Sequence, residues 1–184
     1  FEPNREFRVV EYKGERIAIT ICEDLWDEQP TANEFGKDKL YQESPMEEVA
    51  RLNPGFVVNI SASPFSYNQE SWRKDILVSK AKQFRLPIFY VNQTGAQTEL
   101  IFDGGSVYID RDGEILHELN YFEEDFRVVD TRNPGAKSLQ PASGTIKKIH
   151  DALVLGIRDY FGKMGFRQAT LGLSGGIDSA VTAV

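Results

Sequence analysis

The sequence predicts an α/β protein with a layered domain, on the evidence of two patterns. Short apolar stretches typical of buried strands, IAITIC, FVVNIS and PIFYVNQ, alternate with a segment of helical period at 72–84. Such alternation favours a sheet whose strands are joined by right-handed connections. A stretch rich in Asn, Pro, Gly, Ala and Ser then separates a second, shorter unit. The length of 184 residues allows one sizeable domain and part of another.

The first elements along the chain are a β-hairpin, a surface segment and a short helix. Residues 7–12 and 16–22 predict two strands around Lys13-Gly14, and the nearly unbroken apolar run IAITIC predicts burial on both faces. The polar segment 27–44 predicts an excursion on the surface. A helix is expected at 45–52 with Ser44 as its N-cap. Pro54-Gly55 ends it before the strand FVVNIS.

A longer helix and further strands complete the first unit. Apolar residues recur with the helical period at Trp72, Ile76, Leu77, Ala81 and Phe84. The strand PIFYVNQ follows, and GGSVYIDRDGEILHEL predicts a hairpin around Asp112-Gly113.

The second unit begins after residues 123–144, which predict an interdomain linker because an acidic stretch is followed by TRNPGAKSLQPASG. The predicted domains are therefore 1–122 and 145–184. The second domain opens with a helix from Thr145, closed by Gly162 and Gly165, and QATLGLSGG predicts its first strand. Since Phe1 is not an initiator Met and the last residues read as the start of a helix, we expect these residues to be part of a longer protein.

Charge and composition exclude several classes of partner. The formal net charge is −7 and no basic block is present, which argues against nucleic acid or an anionic membrane as the main partner. No apolar run is long enough to span a membrane. The single cysteine excludes an internal disulfide and fits a reducing compartment, so we expect a cytoplasmic protein.

Cys22 is the candidate nucleophile, because it ends a predicted strand and is followed by EDLW. A lone cysteine is more often an inert buried side chain, but strand ends are where α/β folds expose reactive groups. A nucleophilic thiol needs a base. The two histidines, His117 and His150, lie far along the chain. If Cys22 is catalytic, a carboxylate base with a lysine that stabilises the oxyanion is therefore expected.

The string SGGIDSA predicts a phosphate-binding turn. Gly175 and Gly176 permit positive φ and let backbone N–H groups approach an anion, while Ser174 and Ser179 add hydroxyl donors before a helix N-terminus. Asp178 fits a Mg²⁺ ion that travels with phosphates. The alternative is an ordinary strand-to-helix turn with two glycines. The string does not match the Walker pattern.

These motifs resemble known families. KGERIAITICEDLW, VVNISASPF and IFYVNQTG resemble successive strands of the nitrilase-like carbon–nitrogen hydrolases. ICEDLW with NISASP is similar to the glutaminase domain of glutamine-dependent NAD synthetases. SGGIDS resembles the pyrophosphatase loop of enzymes that adenylate a substrate with ATP, and RDYFGKMGF before LGLSGGIDSA is similar to the start of the NAD synthetase domain.

The resemblance implies a fold and a glutaminase site. Residues 1–122 would be the C-terminal part of a nitrilase-like four-layer α-β-β-α sandwich. Residues 145–184 would start a doubly wound, Rossmann-like adenine nucleotide alpha hydrolase domain. Cys22 would belong to a Glu-Lys-Cys triad whose other two members precede Phe1. The implied glutamine contacts are Ser63, Gln69, Glu23, Trp26 and Arg73. Gln69 stands where the family commonly has a basic residue, for which Arg73 is near enough to compensate.

The resemblance also implies an activity. ATP would bind at Leu173, Ser174, Gly175, Gly176, Ile177, Asp178, Ser179, Ala180 and Val181, with Asp178 on Mg²⁺. The protein would make NAD from deamido-NAD, ATP and the ammonia that Cys22 releases from glutamine. It would act as a homo-oligomer with an internal ammonia tunnel. Two alternatives stay open: a stand-alone carbon–nitrogen hydrolase without an ATP step, and a degenerate binding or assembly module.

Overall fold

The computed structural model describes residues 6–26 and 43–184, so most of the predicted excursion at 27–44 lies outside the described residues. The strands are β1 Val9–Tyr12, β2 Glu15–Ile21, β3 Phe56–Ser61, β4 Ile88–Asn92, β5 Thr94–Gln97, β6 Leu100–Asp103, β7 Val107–Ile109 and β8 Ile115–Glu118. The helices are α1 Pro45–Arg51, α2 Gln69–Phe84, α3 Thr145–Met164 and α4 Ile177–Ala183, and a 3₁₀ turn covers Cys22–Leu25.

Six strands form one mixed sheet in the order β1-β2-β3-β4-β7-β8, while β5 and β6 form a separate hairpin. Strands β2, β3 and β4 are parallel, and the others pair antiparallel. The predicted α/β class is confirmed. Because parallel strands end at the same edge of a sheet, the residues that follow β2, β3 and β4 lie close together there.

Helices α1 and α2 cover one face of this sheet. Its core joins sheet residues such as Val57 and Ile88 to Leu77 of α2. On the opposite face Ile19, Ile21, Ile60 and Val91 are between 47% and 65% exposed. The prediction that IAITIC is buried on both faces is therefore wrong for the described residues, because the helices among them cover only one side.

The local predictions hold for most elements. Ser44 caps α1, its hydroxyl accepting a hydrogen bond from the Glu47 N–H at 3.3 Å. The hairpin around Asp112-Gly113 is β7–β8. Helix α2 begins at Gln69, three residues before the predicted start. The β5–β6 hairpin was not predicted.

Residues 123–144 contain no helix or strand, and α3 follows them. This helix packs on the β5–β6 hairpin through Ala152 and Leu155, which are buried beside Phe122 and Ile101. It ends at Gly165 in the left-handed conformation, whereas Gly162 lies inside it. No described helix has the length and apolar character needed to cross a membrane.

The prediction of a strand in QATLGLSGG is wrong, since residues 166–174 form neither strand nor helix in the structure. A strand needs a neighbour to take its backbone hydrogen bonds. No described strand pairs with this segment, and its side chains are exposed.

Candidate active site

Cys22 occupies a strained position at the carboxyl end of β2. Its φ is +45°, in the left-handed region that few non-glycine residues adopt, and its side chain is partly exposed. Such strain persists only where the surrounding structure holds it, and it clusters at functional sites. The Asp24 carboxylate accepts a hydrogen bond from the Ile21 N–H at 2.8 Å, and fully buried Leu25 anchors the turn in the core. The turn therefore holds the thiol at the sheet edge.

Asn59 of β3 supports Cys22 from below. Its side chain is fully buried, and its amide donates to the Thr20 hydroxyl at 3.0 Å and to the Cys22 carbonyl at 3.4 Å. Its oxygen accepts from the Ser61 hydroxyl at 2.6 Å. This network joins two neighbouring parallel strands directly beneath the candidate nucleophile.

Ser63 lies just beyond β3, at the same edge as Cys22. Its N–H donates to the Asn92 side-chain oxygen at 2.9 Å, and its hydroxyl accepts from the Tyr90 hydroxyl at 2.9 Å. Ser63 itself is partly exposed. The register pairs Ile21 with Ile60, so the chain segments that carry Cys22 and Ser63 leave the sheet side by side. The structure thus brings these two predicted residues to one edge.

Arg73 is buried and paired with Asp103, so its guanidinium is not exposed to a substrate. Its guanidinium forms two hydrogen bonds with the Asp103 carboxylate, at 2.8 and 3.1 Å, and both side chains are buried. Burial lowers the pKa of Arg73, but the bonds to Asp103 outweigh burial and raise it above its ordinary value. Asp103 also accepts from the Asn92 amide at 3.0 Å. This geometry gives no support to the predicted contact between Arg73 and glutamine.

The other predicted glutamine contacts differ in exposure. Glu23 and Gln69 are exposed, the latter as the first residue of α2. Trp26 is buried and stacks on Trp72, with ring centroids 5.3 Å apart. Trp26 therefore supports the turn that carries Cys22 from the core side.

Neither histidine is placed to serve Cys22 as a base. His117 is buried on β8, four strands away from β2, and its Nε2 lies 2.6 Å from the Pro134 carbonyl oxygen. His150 is exposed on α3. The carboxylate base stays a prediction.

The turn before α4 is exposed and built by glycines. Gly175 has φ +84°, and a Cβ there would meet nothing within 4 Å, so only the backbone conformation requires glycine. The Ser174 hydroxyl accepts from the Gly176 N–H at 3.3 Å and lies 3.2 Å from the Ser179 hydroxyl. Residues 173–181 are open to solvent apart from half-buried Ser179.

Asp178 suits a magnesium ion that arrives with phosphates. Its carboxylate is exposed and makes no hydrogen bond or ion pair with the residues that the structure describes. In the described part of the chain, no three His, Cys, Asp or Glu side chains form a metal-binding group. One carboxylate is nonetheless sufficient, since Mg²⁺ keeps several waters and takes further oxygens from substrate phosphates.

Comparison with known proteins defines the class first. An amidase of the nitrilase superfamily from Nesterenkonia AN1 aligns with 65% of this chain and 40% of its own, at a TM-score of 0.50 and 22% identity, which shows a shared fold. The NAD synthase family model matches residues 149–184. The chain thus shares the fold of this amidase over 65% of its length, and its residues 149–184 match the NAD synthase family.

Relatives that align with nearly the whole chain identify the family. "Glutamine-dependent NAD(+) synthetase" of Synechocystis sp. is 38% identical over 94% of this chain and 31% of its own length. The structure of glutamine-dependent NAD+ synthetase from Acinetobacter baumannii in complex with ADP is 34% identical, with a TM-score of 0.83 over 99% of this chain and 32% of that one. The chain belongs to the glutamine-dependent NAD(+) synthetases, and it spans about a third of the length of these relatives.

Proposed function

We propose that this chain supplies the glutamine-hydrolysing cysteine and the first ATP-binding turn of an enzyme that makes NAD from deamido-NAD, ATP and glutamine. The observation that carries the proposal is the position of Cys22, a partly exposed thiol on strained backbone at the carboxyl edge of parallel strands. Buried strand residues hold that position, as an attacking group requires.

In the proposed glutaminase reaction, the Cys22 thiolate attacks the side-chain amide carbon of glutamine. The tetrahedral intermediate collapses to a thioester as ammonia leaves with a proton from the base. Water then attacks the thioester carbon and releases glutamate and the thiol. We place the Glu and Lys of the triad outside residues 1–184. The lysine would stabilise the oxyanion of the tetrahedral intermediate, and one such hydrogen-bond donor typically lowers the activation free energy by about 3 kcal/mol.

Three of the predicted glutamine contacts stay in the proposal. Ser63, Glu23 and Gln69 are exposed or partly exposed, and Ser63 lies at the same sheet edge as Cys22. Trp26 and Arg73 are buried and engaged with Trp72 and Asp103, so we assign them a supporting role instead.

In the proposed synthetase reaction, the nicotinate carboxylate of deamido-NAD attacks the α-phosphorus of ATP, and pyrophosphate leaves. Residues 173–181 hold the pyrophosphate, because Gly175 and Gly176 carry no side chain that would block an anion from the backbone of this turn. Asp178 holds Mg²⁺, which neutralises phosphate charge when bound. Ammonia then attacks the acyl carbon, and AMP leaves to give the nicotinamide. The ADP in the Acinetobacter baumannii relative supports the use of ATP.

The finer architecture belongs to the same proposal. The open apolar face formed by Ile19, Ile21, Ile60 and Val91 supports the second sheet of a four-layer sandwich. We divide the chain at 123–144 into a glutaminase domain, 1–122, and the start of a doubly wound synthetase domain, 145–184. A cytoplasmic homo-oligomer with an internal ammonia tunnel completes the proposal.

The test follows NAD formation by the full-length protein from deamido-NAD, ATP and Mg²⁺, with either glutamine or ammonium as nitrogen source. We expect Cys22→Ala to abolish the glutamine-driven reaction and to leave the ammonium-driven reaction intact. If the variant uses both nitrogen sources equally well, Cys22 has a structural role and is not the nucleophile. Glutamine hydrolysis without any NAD formation would instead favour the stand-alone hydrolase.

A further inference from the structure

Tyr90 and Asn92, two residues of β4, hold Ser63 at two points. Tyr90 is 1% exposed, and its hydroxyl lies 2.9 Å from the Ser63 hydroxyl oxygen. The Asn92 side-chain oxygen accepts from the Ser63 N–H at 2.9 Å. Asn92 is itself fixed, since its amide donates to Asp103 at 3.0 Å and to the Gly104 carbonyl at 2.9 Å. Both the backbone and the side chain of Ser63 are therefore positioned from one strand.

The chemistry of the two hydroxyls sets the direction of their hydrogen bond. A phenol is a much stronger acid than an aliphatic alcohol, so Tyr90 donates and Ser63 accepts. The Ser61 hydroxyl, which also lies near Tyr90, donates its hydrogen to Asn59 at 2.6 Å and therefore does not donate to Tyr90. Burial raises the pKa of Tyr90, against the opposing effect of the Arg73 cation, so the phenol keeps its proton.

The Ser63 hydroxyl is left with one hydrogen to donate. Its oxygen is occupied by Tyr90, and no residue that the structure describes accepts its hydrogen. Ser63 is partly exposed at the edge where Cys22 lies. A hydroxyl held in this way presents a donor, and a donor suits a negatively charged acceptor.

We propose that Tyr90 is a positioning residue that fixes the Ser63 hydroxyl as a donor to the α-carboxylate of glutamine. This inference rests on the proposed glutaminase function. The side-chain amide of glutamine is occupied at Cys22, which leaves the carboxylate as the anionic acceptor for Ser63. Tyr90 touches no substrate and acts through Ser63.

The test compares two alkylating agents on Cys22 of the full-length protein. One is a diazoketone analogue of glutamine that keeps the α-amino and α-carboxylate groups, and the other is iodoacetamide, which lacks both. We expect Tyr90→Phe to slow alkylation by the analogue ~3- to 10-fold, the effect of weakening one hydrogen bond. The iodoacetamide rate stays unchanged, because the thiol and its turn are not altered.

Turnover supplies a second measurement. Tyr90→Phe should raise the KM for glutamine by a similar factor, with little change in kcat and none in ammonium-driven NAD synthesis. Tyr108→Phe is the matched control, since Tyr108 is also buried and lies on the neighbouring strand β7. That variant should match the wild-type protein in every assay.

A double variant separates a positioning role from a general structural one. In a Ser63→Ala background, Tyr90→Phe should add no further loss, because its route to the substrate is already removed. Two results would overturn the role of Tyr90 but leave the proposed glutaminase function standing. One is additive losses in the double variant, and the other is an equal rate of alkylation by the analogue in Tyr90→Phe and wild-type protein. Failure of the analogue to label Cys22 in wild-type protein would overturn the proposed glutaminase function as well.

Discussion

Glu70 provides a measurable link between α2 and α3. Its carboxylate accepts from Lys74 at 2.8 Å and from Lys148 of α3, and its side chain is 20% exposed. Lys74 also pairs with Glu118 of β8 at 2.6 Å. Burial raises the pKa of Glu70, but the hydrogen bonds from Lys148 and Lys74 outweigh burial and lower the pKa from 4.5 to about 2. Replacement of Glu70 by Gln removes the charge and keeps the shape.

The lowered pKa of Glu70 corresponds to a stability change of known sign. A carboxyl group whose pKa is lower in the folded state stabilises the protein above its unfolded pKa, and that contribution is lost as the pH falls toward the folded pKa. A difference of about 2.5 units gives a ceiling of about 3.4 kcal/mol at 1.36 kcal/mol per unit. Since part of the side chain meets solvent, which screens the ion pairs, we expect ~1–2 kcal/mol.

The assay is urea unfolding of the full-length protein at pH 7 and near pH 3.5. Glu70→Gln should be less stable than wild type at pH 7, and the difference should shrink by roughly two-fifths near pH 3.5. Glu99→Gln is the control, because Glu99 is exposed and forms no ion pair within the described residues. Equal stability of the two variants at pH 7, or a difference independent of pH, would refute the reasoning.

Two further substitutions test the Arg73–Asp103 ion pair and the glycine turn before α4. Arg73→Leu should lower the free energy of unfolding by ~3–5 kcal/mol, because it leaves the Asp103 carboxylate buried without a positive charge to pair with. Adding Asp103→Leu should recover part of the loss in thermal unfolding, and a further loss would contradict the ion-pair explanation. Gly175→Ala should raise the KM for ATP ~5- to 30-fold, since about 1–2 kcal/mol of strain opposes a side chain at positive φ. Gly172→Ala, at a position with open space and ordinary φ, should have no such effect.

The strands of the main sheet were predictable because their apolar runs are local features of the sequence. The same runs predict burial on both faces of the sheet, which is wrong for the described residues. Ile19 and Ile21 are apolar, but the described residues cover only the face that carries Ala18 and Thr20. The β5–β6 hairpin was missed because TGAQ and LIFD have no clear alternation, and their packing depends on α3, far along the chain.

The candidate site was predictable only in part, since motifs show residues that face a substrate and not those that hold them. Cys22 and Ser63 stand in recognisable strings. Asn59 and Tyr90 act through partners 39 and 27 residues away, and such contacts leave no local pattern. One clue was available for Asn59, a polar residue within the apolar run FVVNIS. The ion pair of Arg73 was likewise not predictable, because its partner Asp103 lies 30 residues away.

The contact between α3 and β5 has a consequence for synthesis on the ribosome. The Ala96 N–H donates to the Asp159 carboxylate at 2.7 Å, and the Ala96 carbonyl accepts a hydrogen bond from the Lys163 ammonium. Gly95 leaves room for Asp159 to approach. Strand edges with open backbone groups pair readily with other chains. Asp159 is made 63 residues after Ala96. At ~5–20 residues per second the edge of β5 stays open for roughly 3–12 s in each nascent chain, until α3 emerges and closes it.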